Sequence, residues 1–255
     1  MSASAPLRGR FVWYELMTPD KDAARVFYGA LFGWEWHVED MGEHGLYPMA
    51  RTGEHWHGGL ITPQGGMPPC WIAYVAVDDV DEACRLAPEL GGAVLEPGTD
   101  IPGVGRFAVL QDPGGAVILP FTGRNPPAAE VPHPAPAGFF CWNELLTPDP
   151  AGSIDFYTEI FGYDAQDSEM PGMGAYWVLT RGDRMEAGMM PMPPEAGAPP
   201  HWLPYVAVSD LDASAARLAE LGGTVHLAPT DIPGMGRFAV VADPQGAVFA
   251  MFQAA

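Results

Sequence analysis

Lysine is almost missing from this chain of 255 residues: Lys21 is the only one. Basic charge as a whole is scarce, with 12 Lys and Arg against 32 Asp and Glu and a formal charge of −20. Such a surface repels phosphates and offers few cations to displace counterions, which argues against nucleic acid and against anionic membranes as partners. Solubility is the simplest use of the charge, and steering of a cationic ligand is the alternative. Cysteine is limited to Cys70, Cys84 and Cys141, with no CxxC pair. That excludes a disulfide scaffold or a zinc ribbon and fits a reducing cytoplasm. No run of about 18 apolar residues is present, so no transmembrane helix is expected. The start, MSASAPLRGRFVWYEL, lacks a charged segment followed by an apolar core and is not read as a signal peptide. No Ser-His-Asp pattern or nucleophile elbow appears.

What is present is a folded, duplicated chain. The hydrophobic fraction of 48% is that of a globular protein. Phe11–Trp34 (FVWYELMTPDKDAARVFYGALFGW) is repeated as Phe140–Tyr163 (FCWNELLTPDPAGSIDFYTEIFGY). Trp71–Phe121 aligns with Trp202–Phe252 without a gap, with 28 identities in 51 positions. Between the copies lies GRNPPAAEVPHPAPAG, whose prolines predict an extended, stiff linker. The expected organisation is therefore a first domain over 1–122, a linker over 123–138 and a second domain over 139–255. The middles of the copies, 38–69 and 164–200, differ most and are rich in Pro, Gly and Met. The near absence of Lys beside abundant Ala, Gly, Pro and Arg suggests a high-GC bacterial genome.

Each copy repeats a smaller pattern. Phe11–Met17 reads as a strand, followed by Thr18-Pro19-Asp20 as a helix start and Gly33 as its stop. Ala23, Val26, Phe27, Ala30 and Leu31 recur at helical spacing between them. Trp71–Val77 reads as a second strand, with a helix from Asp78-Asp79 to Gly91-Gly92 that Pro88 should kink or shorten. Short strand-like runs follow each helix: 34–38, 46–51 and 57–62, then 93–96, 107–111 and 116–121. The chain thus holds four βαβββ units.

These units, with YVAVDDVDEA (Tyr74–Ala83), LGG (Leu90–Gly92) and RFAVLQDPGGAV (Arg106–Val117) and their second-copy counterparts, resemble the vicinal oxygen chelate superfamily. That superfamily includes glyoxalase I, extradiol dioxygenases and the bleomycin- and fosfomycin-resistance proteins. The resemblance covers essentially the whole chain outside the linker. It implies an α+β fold with two glyoxalase-like domains, each a curled eight-stranded mixed sheet forming a cup with helices outside. In the metal enzymes of the family, His, Gln or Glu from the first and last strands of each unit hold one divalent ion. At the matching positions this chain has Trp13 and Trp142, and Leu119 and Ala250. The opening strand of the second unit offers Trp71 or Ile72, and Trp202 or Leu203. None is a ligand for a common biological metal, so the reading has no cofactor.

Other residues are candidates for chemistry. Glu15 and Glu144 follow Trp13 and Trp142 by two, so each carboxylate shares a strand face with an indole. They read as general bases or hydrogen-bond acceptors, or as structural carboxylates that cap loop amides or pair with Arg106 and Arg237. His55 and His57 form the only compact histidine pair, and with Glu15 they are the metal-ligand candidates. Against that use, Arg184 and Glu186 stand at the matching positions of the second copy. His37 and His201 read as pocket or surface histidines. DIPGVGRF (Asp100–Phe107) and DIPGMGRF (Asp231–Phe238) lack the Lys-Ser/Thr of a phosphate loop and read as turns, or as lids bearing Phe107 and Phe238. Met41, Met49, Met170, Met173, Met189, Met190 and Met192 fall in the variable middles, where some could join a cup wall while most fill the core.

The resulting expectation is a metal-free binder of a planar aromatic or apolar small molecule, of the resistance or sequestration kind or accessory to natural-product tailoring. Trp13, Glu15, Trp71, Tyr74, Phe107 and Leu119 would line one cup. Trp142, Glu144, Trp202, Tyr205, Phe238 and Ala250 would line the other. The alternatives are a glyoxalase-like lyase, isomerase or hydroxylase using Glu15 and Glu144 or a relocated metal, and a degenerate pair serving in protein–protein contact. Four units in one chain make a monomer feasible, while a dimer is also compatible.

Overall fold

A computed structural model describes residues 7–42, 45–63, 65–123, 131–170, 174–193 and 197–255. In the first copy the elements are β1 (Phe11–Met17), α1 (Lys21–Phe32), β2 (Glu35–Asp40), β3 (Leu46–Thr52) and β4 (His55–Ile61), then β5 (Cys70–Ala76), α2 (Val80–Glu89), β6 (Ala93–Ile101), β7 (Gly105–Gln111) and β8 (Val117–Gly123). The second copy repeats them as β9 (Phe140–Thr147), α3 (Pro150–Phe161), β10 (Asp164–Met170), β11 (Gly174–Arg181) and β12 (Arg184–Pro191), then β13 (His201–Ala207), α4 (Leu211–Glu220), β14 (Thr224–Ile232), β15 (Gly236–Ala242) and β16 (Val248–Ala254). Part of the linker and Met173 lie outside the described residues, and so does the side chain of Met170.

Local chemistry sets the helix ends. Asp20, Asp79, Asp149 and Asp210 each accept a backbone N–H of the first helical turn, as N-caps do. Gly33 and Gly162 close α1 and α3 in the left-handed region, where a Cβ would be strained. Pro88 does not shorten α2, which has ten residues like α4, where Ala219 stands at that position. It sits in the last turn, so only one N–H is removed just before the helix ends. β6 runs further than the 93–96 expected, through Pro97 to Ile101. It lies at the sheet edge, where a proline needs no strand partner for its missing donor, and its pairing with β7 shifts register there.

The strands form two open eight-stranded mixed sheets. One has the order β2-β3-β4-β1-β5-β8-β7-β6, and the other β10-β11-β12-β9-β13-β16-β15-β14. Each sheet is therefore made by one copy. The compact units are composed differently. One comprises residues 1–12, 73–127 and 143–202, and the other 13–72, 128–142 and 203–255. Each unit thus takes one βαβββ module from each copy, and α2 packs with α3 in one, α1 with α4 in the other.

A buried hydrogen-bond relay explains this exchange. In one unit Trp71 Nε1 donates to Tyr28 Oη at 3.1 Å, and Tyr28 Oη donates to Asp243 Oδ2 at 3.0 Å. In the other, Trp202 Nε1 donates to Tyr157 Oη at 3.1 Å, and Tyr157 Oη to Asp112 Oδ2 at 2.8 Å. Tyr28 and Tyr157 are wholly buried, and Asp112 and Asp243 are 3% exposed. Each carboxylate also accepts backbone N–H groups of its own turn, from Gly115 and Ala116 or from Gln245 and Ala247. A second reciprocal pair follows the same exchange: Trp34 Nε1 donates to the carbonyl of Gly138 at 2.7 Å, and Tyr163 Oη to that of Gly9.

Replacing Tyr28 by Phe removes one donor from a buried carboxylate while keeping the ring. The expected cost is about 1–3 kcal/mol of unfolding free energy. A urea titration of Tyr28→Phe should show a lower midpoint with an unchanged slope; an unchanged midpoint would remove the relay from the account of the fold.

Candidate functional site

Period-two alternation on β1 puts Trp13 and Glu15 on one strand face and Tyr14 and Leu16 on the other. Tyr14 stacks on Phe140 at 3.8 Å between ring centroids, and Leu16 is fully buried. On the opposite face, Tyr47 from β3 donates its hydroxyl to Glu15 Oε1 at 2.7 Å. Trp13 Nε1 donates to the same hydroxyl at 3.0 Å, giving an indole–phenol–carboxylate chain. Between β1 and β3 lies β4, whose Gly59 is the register partner of Glu15. A Cβ at Gly59 would collide with the Tyr47 phenol, so the glycine is what lets Tyr47 cross to Glu15.

The second copy repeats the phenol–carboxylate pair. Tyr176 on β11 donates to Glu144 Oε2 on β9 at 2.9 Å. Gly188 on β12 is the register partner of Glu144, and a Cβ there would strike both Tyr176 and Glu144. Tyr47 and Tyr176 each follow their glutamate by 32 residues, and Gly59 and Gly188 by 44. Sequence reading does not single out these tyrosines or Gly188, and it takes Gly58-Gly59 for a turn where β4 runs straight through and pairs with β1; the common spacing marks them inside segments that otherwise look divergent.

Glu15 is 8% exposed and Glu144 4%. Burial, and then the neighbouring negative Glu15, raise the Tyr47 hydroxyl well above the ordinary phenol range, so it remains a neutral donor. Arg106 and Arg237 do not serve the glutamates. Arg106 pairs with Asp81 at 2.8 Å and Asp100 at 3.0 Å, and Arg237 with Asp212 at 2.6 Å and Asp231 at 3.0 Å. Those arginines brace the DIPG turns, in which Gly103 and Gly234 take positive φ as the turn reading requires.

The other expected pocket residues fall into separate groups. Tyr74 on β5 is the register partner of Leu119 on β8 and lies 5.9 Å from Phe107 on β7, centroid to centroid. Tyr205 likewise has Ala250 as its partner, with Phe238 at 6.1 Å. Trp71 and Trp202 do not join them. Each stands three residues before its tyrosine on the strand and therefore points to the opposite face, into the buried relay. Trp142 precedes Glu144 by two on β9 and is half-buried.

A model of the Glyoxalase/Bleomycin resistance protein/Dioxygenase superfamily matches residues 10–119 and again 138–251. The chain belongs to this superfamily. Among relatives, a Mycobacterium bovis protein named "Putative glyoxylase CFP32" is 40% identical over 248 residues, spanning 95% of this chain and 94% of that one. The "Anthracycline biosynthesis protein DnrV" of Streptomyces peucetius is 33% identical over 270 residues, spanning 99% and 95%. Among solved structures, the Mn(II)-bound glyoxalase from Novosphingobium aromaticivorans superposes with a TM-score of 0.65 at 16% identity, covering 98% of this chain and 83% of that chain. The 2,3-dioxygenase LapB from Pseudomonas sp. KL28 gives 0.65 at 14% identity, covering 97% and 93%. These structures share the fold of this superfamily member.

The residues present do not fit a divalent ion at the superfamily's ligand positions. Trp13, Trp142, Leu119 and Ala250 carry no oxygen, sulfur or imidazole donor, and Leu119 and Ala250 are buried. Among the described residues, no three His, Cys, Asp or Glu side chains cluster as metal ligands do. The imidazoles of His55 and His57 do lie together, with centroids 5.0 Å apart, but Glu15 is not brought to them. The reason is a β-bulge: Ala50 pairs with Gly58 and Arg51 with Trp56, which leaves His57 as the extra residue. His57 stacks on Trp34 at 5.0 Å and meets Phe139 at 4.9 Å. Its Nε2 is 2.8 Å from Thr52 Oγ1, while its Nδ1 is buried without a partner.

Burial, and secondarily His55, lower the His57 pKa to about 3. Below about pH 6.5 the unfolded chain takes up a proton that folded His57 refuses, so stability is lost as pH falls toward 3. The slope is up to about 1.4 kcal/mol per pH unit. Asp112 and Asp243, raised chiefly by burial, act in the opposite direction, but equally in the parent and in a His57 variant. Unfolding free energies between pH 6.5 and 4 should therefore fall less steeply in His57→Gln than in the parent. Parallel acid limbs would show that the ring is not held neutral in the fold.

Proposed function

We propose that this protein binds a planar, hydroxylated aromatic small molecule at its Glu–Tyr sites, Glu15–Tyr47 in the first copy and Glu144–Tyr176 in the second. The observation that carries the reading is the duplicated phenol–carboxylate hydrogen bond, built next to Trp13 at a strand position where the metal enzymes of the superfamily hold an ion. An ionised carboxylate accepts hydrogen bonds and donates none, so it suits ligand hydroxyls. Indole faces at Trp13 and Trp142 suit stacking of a flat ring. Two relatives named for anthracycline biosynthesis support an aromatic natural product as the ligand class, and the role proposed with it is sequestration or an accessory to tailoring. Three free cysteines and the acidic charge agree with action in the cytoplasm, away from nucleic acid and membranes. No described helix is long and apolar enough to cross a membrane.

A second reading makes Glu15 and Glu144 bases that move a proton beside a ligand carbonyl, in a lyase, isomerase or hydroxylase reaction. The hydrogen bond from neutral Tyr47 favours it, because the phenol holds the carboxylate in one orientation while remaining protonated itself.

Quenching of tryptophan fluorescence by 1,2-dihydroxyanthraquinone tests the binding reading. Saturable binding is expected, weakened tenfold or more in Trp13→Ala and Glu15→Gln for the first site, and in Trp142→Ala and Glu144→Gln for the second. Absence of saturable binding, or variants that all bind like the parent, would overturn it. Consumption of the probe that stops in both glutamine variants would instead favour the proton-transfer reading.

A further inference from the structure

Trp56 is the one tryptophan of the eight that is exposed, at 39%. It lies on β4, and strand register fixes its neighbours. Glu15, Gly59, Met49 and His37 are successive partners across β1, β4, β3 and β2, and so form one row on one sheet face. Beyond the bulge the next row is Trp56, Arg51 and Glu35. Trp56 thus stands one row from Glu15, on the side toward the start of β1, where Trp13 lies. The bulge at His57 is what turns Trp56 onto this face, since regular alternation from Gly59 would place it on the other. The Arg51 guanidinium lies 5.8 Å from the indole centroid, and the His37 ring approaches at 5.8 Å and 74°. Arg51 is held by Glu35 at 3.2 Å and His37 by Glu39 at 3.1 Å.

The second copy keeps the bulge but not this chemistry. Met185, Thr180 and Gln166 occupy the positions of Trp56, Arg51 and His37, and Gln166 donates to Thr180 Oγ1 at 3.3 Å. The Glu–Tyr pair is common to both copies, whereas the planar cation and the exposed indole belong to the first alone.

The geometry points to Trp56, framed by His37 and Arg51, as an outer stacking platform for a fused-ring aromatic ligand whose hydroxylated end is held at Glu15 and Tyr47. A flat π-system one row long or more would contact the indole and guanidinium planes together, and a single ring would not reach them. The inference rests on the binding reading above and adds that the first copy takes extended fused-ring ligands better than the second.

Titration calorimetry with 1,2-dihydroxyanthraquinone tests it, in a Glu144→Gln background that isolates the first site. Trp56→Gln should weaken binding about tenfold, and Trp56→Phe, which keeps a stacking ring, should stay within about threefold of the parent. Because Trp56 is exposed, thermal midpoints should be unchanged, which separates lost binding from lost folding. Trp56→Gln binding like its parent while Glu15→Gln loses affinity would overturn the platform and leave the Glu15–Tyr47 site standing. Equal losses in Trp56→Phe and Trp56→Gln would also overturn it, since stacking would not be the role. No binding by the Glu144→Gln parent would overturn the first-copy reading and the platform with it.

Discussion

A carboxylate buried in a protein core must find donors or forgo its charge, and two such carboxylates organise this molecule. Asp112 and Asp243 each open the turn before the last strand of a copy and collect the N–H groups of that turn. The remaining donor is a tyrosine hydroxyl from a helix of the other copy, itself oriented by a tryptophan N–H. A phenol suits this task because burial and the adjacent charge both keep it protonated. Once the bond is required, α1 belongs beside α4 and α2 beside α3, and the units must draw on both copies.

The sheet faces use the same chemistry for another purpose. Glu15 and Glu144 are also met by tyrosine hydroxyls, but these come from a strand two places away in the sheet and reach across a glycine. The phenol is a neutral donor, so it orients the carboxylate without setting an opposite charge beside it, as an arginine would. The proposed binding of flat, hydroxylated ligands rests on these carboxylates and the indoles of Trp13 and Trp142 beside them.

Much of the architecture is legible in the residues. The Asp caps, the glycine stops and the period-two runs place nearly every element, because each depends on chemistry within a few positions in sequence. The exchange of modules is not legible in that way. It depends on Tyr28 meeting Asp243, a pairing over more than two hundred residues that no local pattern announces. At the sites, Trp13 and Glu15 emerge from strand alternation, whereas Tyr47 and Gly59 are obscured by the Pro, Gly and Met around them. Trp71 illustrates the opposite error. Grouping it with Tyr74 as aromatic neglects that an odd separation on a strand puts side chains on opposite faces. The bulge at His57 likewise changes a facing that simple alternation assigns.

The composition of the units has an evolutionary consequence. Two separate copies of one half-length chain, exchanging modules in this way, would form a symmetric pair in which every substitution occurs twice. Fusion through the proline-rich linker removes that constraint, because the gene now encodes each position of the two halves independently. One half can then keep the shared scaffold while the other explores a different surface. Trp56 in one copy and Met185 in the other are a difference that a pair of identical chains could not carry.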